Sequence, residues 1–211
     1  MSRYDLLHDS SHCSAGLRGG LAGVELKRTL ILIRHGQVHE RYRGVCYGTS
    51  DVELSERGKT QSQTVASELA NQPLARIYHS DVIRTRFLAE LLAEMTNRQL
   101  FPDKRLRERC FGTWELQTWD AIYSQTGNAM DGMIDDPESF APEGGESTFA
   151  FRDRVFSWYN QLPDRGTFAV VAHGGTIAAL LGTLKHLPVR QWPDFIPACG
   201  KYVIHTEEAH P

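Results

Sequence analysis

The sequence predicts an α/β fold, a sheet with helices packed on both faces. Short unbroken apolar runs occur at Leu30–Ile33 and Phe168–Ala172, and a strand buried on both faces reads as such a run rather than as an alternation. Stretches of helical period stand between the runs, so strands and helices alternate along the chain. The 211 residues are 41% apolar with a net charge of −3, enough for one domain to bury its own core without disulfides or metals. No apolar stretch approaches the roughly 20 residues that a membrane helix needs.

Residues 1–28 are polar, small and Gly-rich, notably at Ser10–Ser14 and Gly16–Gly23. They lack both an amphipathic period and the apolar core of a signal peptide, and read as a flexible extension ahead of a domain spanning 29–211. His8, His12 and Cys13 are weighed there as metal ligands against a mobile tail, and the tail is favoured. Thr29–Ile33 is the first strand. Ser55 caps a helix running to about Gln72, with Val65, Ala66 and Leu69 on its apolar face and Pro73 ending it. Arg76–His79 is a second strand. Asp81 is placed as the cap of a helix with Val82, Ile83, Phe87, Leu88, Leu91, Leu92 and Met95 on one face. Residues 99–117 read as connections with room for a short strand, and Trp119–Gln125 as a helix start. Ala129–Gly145, rich in Asp, Pro, Glu and Gly, reads as a long lid-like loop. Ser147 caps a helix carrying Phe151, Val155, Phe156, Trp158, Tyr159 and Leu162, with Trp158 and Tyr159 assigned to core packing. Thr167–Ala172 is the best strand, followed by an apolar helix over Thr176–Leu187. Tyr202–Thr206 is a last strand.

Several function classes drop out. A mildly acidic balance excludes a general nucleic-acid coat. Cys13, Cys46, Cys110 and Cys199 are scattered without C-x-x-C pairing, which favours reduced thiols and a cytoplasmic protein over a disulfide framework or zinc knuckle. No C-x5-R excludes a cysteine phosphatase. Gly58-Lys59-Thr60 imitates the end of a P-loop, but Glu53 stands where its first glycine belongs. Neither G-x-S-x-G nor H-E-x-x-H occurs.

In open α/β sheets ligands sit outside the carboxyl ends of the strands. The first strand ends in Arg34-His35-Gly36. The second ends in His79-Ser80-Asp81, with Arg84 shortly after. The later strand ends in His173-Gly174-Gly175. Two arginines and two histidines on one edge would bind a phosphate, with glycines allowing close approach and a helix N-terminus favouring an anion. A neutral imidazole is a competent nucleophile toward phosphorus, arginines supply charge stabilisation, and a leaving alkoxide needs a proton donor. Glu108 is the candidate donor, beside Phe111 and Trp114, whose apolar rings would desolvate it. Glu115 is the alternative for that role. Glu143 and Glu146 are assigned to the rim, and His79, His186 and His205 to structural roles.

Six segments, in order, resemble the motifs of the histidine phosphatase superfamily, phosphoglycerate mutase-like branch. They are Leu32–Gln37, Tyr47–Gly58, His79–Arg84, Leu106–Glu115, Glu143–Ser147 and Val170–Gly175, covering the chain from about Thr29 to about Leu187. The resemblance implies a three-layer α/β/α sandwich with a mostly parallel central sheet and no obligatory metal or other cofactor. It implies His35 as the phosphorylated nucleophile, with Arg34, Arg84 and His173 gripping the phosphoryl group and Glu108 as proton donor and then base. The expected substrate-binding set is Arg34, Arg84, His173, Gln37, Arg41, Tyr47, Gly48 and Gly174. The expected partner is a small phosphorylated substrate, with no nucleic acid or membrane, and the chain is expected to act as a monomer or homodimer.

The departures point to specificity. Arg41 stands where family members commonly carry Asn, so Arg41 and Arg43 are expected to add charge at the pocket rim. Leu116 replaces the glycine that often follows "W-E". The E-R-H-Y-G pattern of true phosphoglycerate mutases is missing, which favours a phosphatase. The compact Cys46–Ser55 segment also resembles the α-ribazole phosphatases of cobalamin assembly, a form shared with broad-specificity phosphatases. The expectation is therefore a phosphomonoesterase, with α-ribazole 5′-phosphate a named candidate substrate. A phosphoglycerate mutase and a non-catalytic phospho-ligand binder are the alternatives.

Overall fold

The computed structural model describes residues 28–207; the proposed extension, with His8, His12 and Cys13, lies outside them except for Arg28. Five strands, β1 (Arg28–Arg34), β2 (Leu74–His79), β3 (Leu100–Pro102), β4 (Gly166–Ala172) and β5 (Tyr202–Thr206), form one sheet in the order β3-β2-β4-β1-β5. The first four run parallel, and β5 pairs antiparallel with β1. Arg28 opens β1, opposite Gly166.

Among the described residues six α-helices accompany the sheet: α1 (Glu56–Leu69), α2 (Ile83–Thr96), α3 (Trp119–Thr126), α4 (Gly132–Asp135), α5 (Thr148–Tyr159) and α6 (Gly174–Leu184). Successive strand residues point to opposite faces. Ile31, Ile33, Ala169 and Val171 pack on α1 and α2 through Val65, Leu69, Leu88 and Leu92. Leu30, Leu32, Phe168 and Val170 face α5 and α6 through Phe151, Trp158, Ile177 and Leu181. The result is the expected three-layer α/β/α sandwich. A third cluster, built on Cys46, Trp114 and Ile122 with Trp119, Met133 and Phe140 against it, covers the segment 110–140 above the sheet edge. The predicted Ala129–Gly145 loop contains the end of a 3-10 turn, Gly127–Asp131, and α4, which follows it.

Ser55 caps α1, its Oγ accepting from Gly58 N at 3.0 Å, and Ser147 caps α5 in the same way. Asp81 does not cap α2. Its carboxylate is taken by the Arg107 guanidinium at 2.5 and 2.7 Å, and the Ile83 N–H goes instead to Asp51 Oδ1 at 2.7 Å. The buried face of α2 is also turned from the predicted one. Arg84, Thr85, Leu88, Ala89 and Leu92 face inward, while Ile83 and Met95 are exposed. The helix gives up an ideal apolar stripe so that Arg84, fully buried, reaches the strand ends.

The turn after β1 is held by facing glycines. A Cβ on Gly36 would lie 2.1 Å from the Gly58 carbonyl oxygen, and one on Gly58 would lie 2.0 Å from that of Gln37. Backbone cannot swing aside as a flexible side chain can, so Gly36→Ala must separate β1 from the start of α1. It is expected to destabilise the fold by about 3 kcal/mol, at the upper end of ordinary overpacking costs, read as a lowered urea midpoint.

Candidate active site

β1, β4 and β2 all end at one edge, and each contributes to a site there. His35 continues from β1, its N–H bonded to Ala172 O of the neighbouring strand at 3.1 Å. His173 follows β4, and the two imidazole rings meet edge to face with centroids 5.2 Å apart. His35 Nδ1 lies 2.7 Å from Gly36 O. A carbonyl only accepts, so Nδ1 carries the proton and Nε2 keeps its lone pair in the neutral ring. Burial, reinforced by the positive charge of Arg84 and then Arg34 and opposed by the Gly36 bond, brings the His35 pKa down to about 3.

His173 is fixed by a hydroxyl chain that the sequence did not reveal. Thr85 Oγ1 donates to Ser80 O at 2.7 Å, so its partner at 2.8 Å, Ser80 Oγ, donates to it. Ser80 Oγ is then free to accept from His173 Nε2 at 2.8 Å. That tautomer leaves Nδ1 unprotonated and, as found, without a hydrogen-bond partner. Burial, then Arg84 and His35, hold the His173 pKa well below its usual value.

Both imidazoles are therefore neutral in the folded protein and titrate near 6.5 once unfolded. As pH falls below 6.5 the unfolded chain binds protons that the folded site refuses, so stability declines. The urea midpoint is expected to drop from pH 6.5 toward pH 3, and to drop less in His35→Asn; equal slopes would locate the loss elsewhere.

The arginines are anchored by carbonyls. Arg84 donates from Nη1 to Ser50 O and from Nη2 to Gly48 O, both at 2.7 Å. Arg34 Nη1 donates to Pro197 O at 2.9 Å. Neither guanidinium forms an ion pair among the described residues, and the Nε of each is buried without a partner. Apart from Trp158 Nε1 in the core, the buried side-chain polar atoms left unpaired among the described residues are these two and His173 Nδ1. Unpaired buried donors are rare and costly, and here they belong to groups that flank His35.

Glu108 sits at the start of α6, accepting from Gly175 N at 3.0 Å and Arg109 N at 2.9 Å. Gly175 makes room for it, since a Cβ there would lie 2.2 Å from Glu108 Oε1. Glu115, the alternative proton donor, is corrected to a structural role. Its oxygens are occupied by Thr49 and Ser50, through both backbone N–H and hydroxyl, and by Phe111 N. Burial pushes its pKa up, but these bonds more than reverse the effect and hold it below the usual range. Glu146 is likewise not a rim group. It accepts from Cys110 N and pairs with Arg154, and its side chain is only 17% exposed. His79 is buried and donates from Nδ1 to Ser80 O, as a structural histidine.

A cavity of about 420 Å³ adjoins this edge and is lined by Arg34, Glu108, Gly48, Tyr47 and Gly175, while His35, Arg84 and His173 lie outside its lining. Gly174, the first residue of α6, packs on the Arg34 guanidinium. Arg41 is outside the cavity lining: its guanidinium pairs with Glu53 and Tyr42 in solvent. Arg43 is exposed and also outside it. Gln37 takes part through its backbone, which bonds Gln61 and Ser55, and is not a lining residue. The sequence reading missed Val189, Trp192 and Ile196 in the lining, which reach the cavity through packing of a 3-10 segment on α6 and leave no local signal. Among the described residues no group of three or more His, Cys, Asp or Glu side chains is placed to hold a metal, and no helix is long and apolar enough to cross a membrane.

This sandwich, with its strand-end histidines and arginines, defines an enzyme of phosphate-ester chemistry. The chain belongs to the histidine phosphatase superfamily (branch 1), whose family model matches residues 30–211, and it is a phosphoric monoester hydrolase of that family. A glucosyl-3-phosphoglycerate phosphatase from Mycobacterium tuberculosis is 35% identical over 178 residues, 79% of each chain. The structure of a mycobacterial glucosyl-3-phosphoglycerate phosphatase complexed with VO3 superposes with a TM-score of 0.74 at 32% identity, covering 84% of this chain and 90% of that one. The α-ribazole phosphatase of Shigella flexneri matches with a TM-score of 0.74 over 83% of this chain and 89% of that one. Its 23% identity shows a shared fold only.

Proposed function

We propose that this enzyme hydrolyses small phosphomonoesters by transient transfer of the phosphoryl group to Nε2 of His35. The observation that carries the reading is the His35 tautomer: Nδ1 is committed to Gly36 O, so the lone pair of a neutral ring is held on Nε2 beside two buried, unpaired guanidinium Nε atoms. The phosphoryl oxygens take those two donors. The negative charge they bring favours a protonated His173, whose Nδ1–H then donates to a third oxygen, so binding is accompanied by proton uptake.

Attack by Nε2 in line with the ester oxygen forms the N–P bond as the O–P bond breaks, and Glu108 in its acid form protonates the departing alkoxide. The resulting carboxylate removes a proton from water, whose oxygen attacks phosphorus and releases phosphate and neutral His35. The complex of a related phosphatase with VO3 supports an oxyanion site of this kind. The free thiols Cys46, Cys110 and Cys199 support a reducing, cytoplasmic setting.

Support for α-ribazole 5′-phosphate as the substrate rests on the Cys46–Ser55 pattern. A panel holding that ester, glucosyl-3-phosphoglycerate and 3-phosphoglycerate tests it. The mechanism predicts an acid-labile, base-stable label on His35 when a labelled ester is quenched during turnover, with inorganic phosphate as product. Return of the label to a second hydroxyl of the substrate would make the enzyme a mutase. Turnover without any label on His35 would sink the mechanism.

A further inference from the structure

We propose that the alcohol released by this enzyme carries a flat apolar group and no second anion, an inference that rests on the phosphatase reading above. Beyond its polar groups the cavity is walled by carbon. Phe111 and Trp119, which meet edge to face with centroids 5.5 Å apart, line it together with Trp192. The Trp192 indole N–H is spent on Leu187 O at 3.0 Å, so the ring offers only its apolar surface. Ile134 and Ile196, which also line the cavity, are 41% and 39% exposed. Large apolar side chains left in water at the rim of a cleft mark a surface meant to be covered.

Charge points the same way. The cavity lining holds two cations, Arg34 and Arg109. Arg34 belongs to the phosphoryl end. Arg109 is buried, and its guanidinium is committed to Glu146 O and Thr148 Oγ1. Arg41, the cation expected at the rim, pairs with Glu53 outside the cavity. A substrate carboxylate next to the ester would therefore be desolvated against aromatic and aliphatic carbon without a partner, which is unfavourable. A cavity of about 420 Å³ has room for an aromatic group together with the phosphoryl.

Benzyl phosphate and phosphoglycolate test this as a pair, because both release a primary alcohol and differ in bearing a phenyl ring or a carboxylate. The full chain is expected to show kcat/KM at least about tenfold higher for benzyl phosphate, carried mainly by KM. Ile134→Lys, at an exposed position that tolerates charge, is expected to narrow the ratio at least about fivefold by raising KM for the first ester and lowering it for the second. Equal or reversed preference in an enzyme that labels His35, or an unmoved ratio in Ile134→Lys, would overturn the specificity and leave the phosphatase reading standing. Hydrolysis of neither ester, with no label on His35, would overturn both.

Discussion

Replacing His35 with Ala is expected to lower turnover of any phosphomonoester by a factor of about 10⁴ or more, the scale of removing a covalent nucleophile, and to abolish acid-labile labelling. The side chain is 1% exposed and its ring contacts include His173, so part of the loss could come from a displaced site. His35→Asn separates the two effects. Its amide can still donate to Gly36 O while offering no nucleophile, so it should bind vanadate within a few-fold of wild type and remain inactive. Near-normal hydrolysis by either variant would assign the chemistry to another group. The pKa of about 3 adds a pH signature: protonation of His35 in the free enzyme is expected to give no limb in kcat/KM between pH 5 and 8.

Replacing Glu108 with Gln should reveal its role through the leaving group. General acid catalysis contributes about 10²–10⁴ where the departing oxygen is strongly basic and little where it is not. Benzyl phosphate turnover is expected to fall by about 10³, whereas formation of the phosphoenzyme from p-nitrophenyl phosphate should be nearly preserved. The proposed mechanism also has this carboxylate activate water, so the variant should accumulate phosphohistidine with the nitrophenyl ester, visible as a burst of nitrophenol followed by a slow phase. A uniform decrease across both esters without a burst would place proton transfer elsewhere. Glu115 offers no rescue, since its oxygens are all engaged by the 49–50 turn and Phe111.

The elements legible in the sequence are those whose signal is local. β1 and β4 are buried on both faces, so their apolar runs needed no partner to be read, and Ser55 and Ser147 cap helices that begin at the next residue. Asp81 was misassigned because the same residue type serves as cap and as ion-pair partner, and Arg107, 26 residues on, claims it. The inward face of α2 was misread because periodicity assigns burial to apolar residues, whereas this helix buries an arginine for the site. α6 begins at Gly174 rather than Thr176, since the two glycines that weaken a helix by propensity are there to admit the Arg34 and Glu108 side chains. The strand-end histidines and arginines were readable as a set because sheet topology brings strand termini together. The Ser80–Thr85 chain, the Pro197 carbonyl and the Trp192 wall were not, being contacts between segments whose approach only the folded core decides.

The site also fixes an order in time. β1 is made first but lies between β4 and β5, and the Arg34 side chain and backbone are held by Pro197, Gly200 and Lys201. A ribosome adding about 5–20 residues per second needs on the order of ten seconds or more to travel from Arg34 to Lys201. Until β4 is complete at Ala172, Leu30–Ile33 has neither flanking strand, and until Lys201 is added Arg34 lacks its full backbone anchor. The nascent chain therefore carries an unpaired apolar segment for most of its synthesis, a form prone to associate with other chains. The arginine that the proposed mechanism sets on the phosphoryl group is anchored only as the last segments close on the first strand.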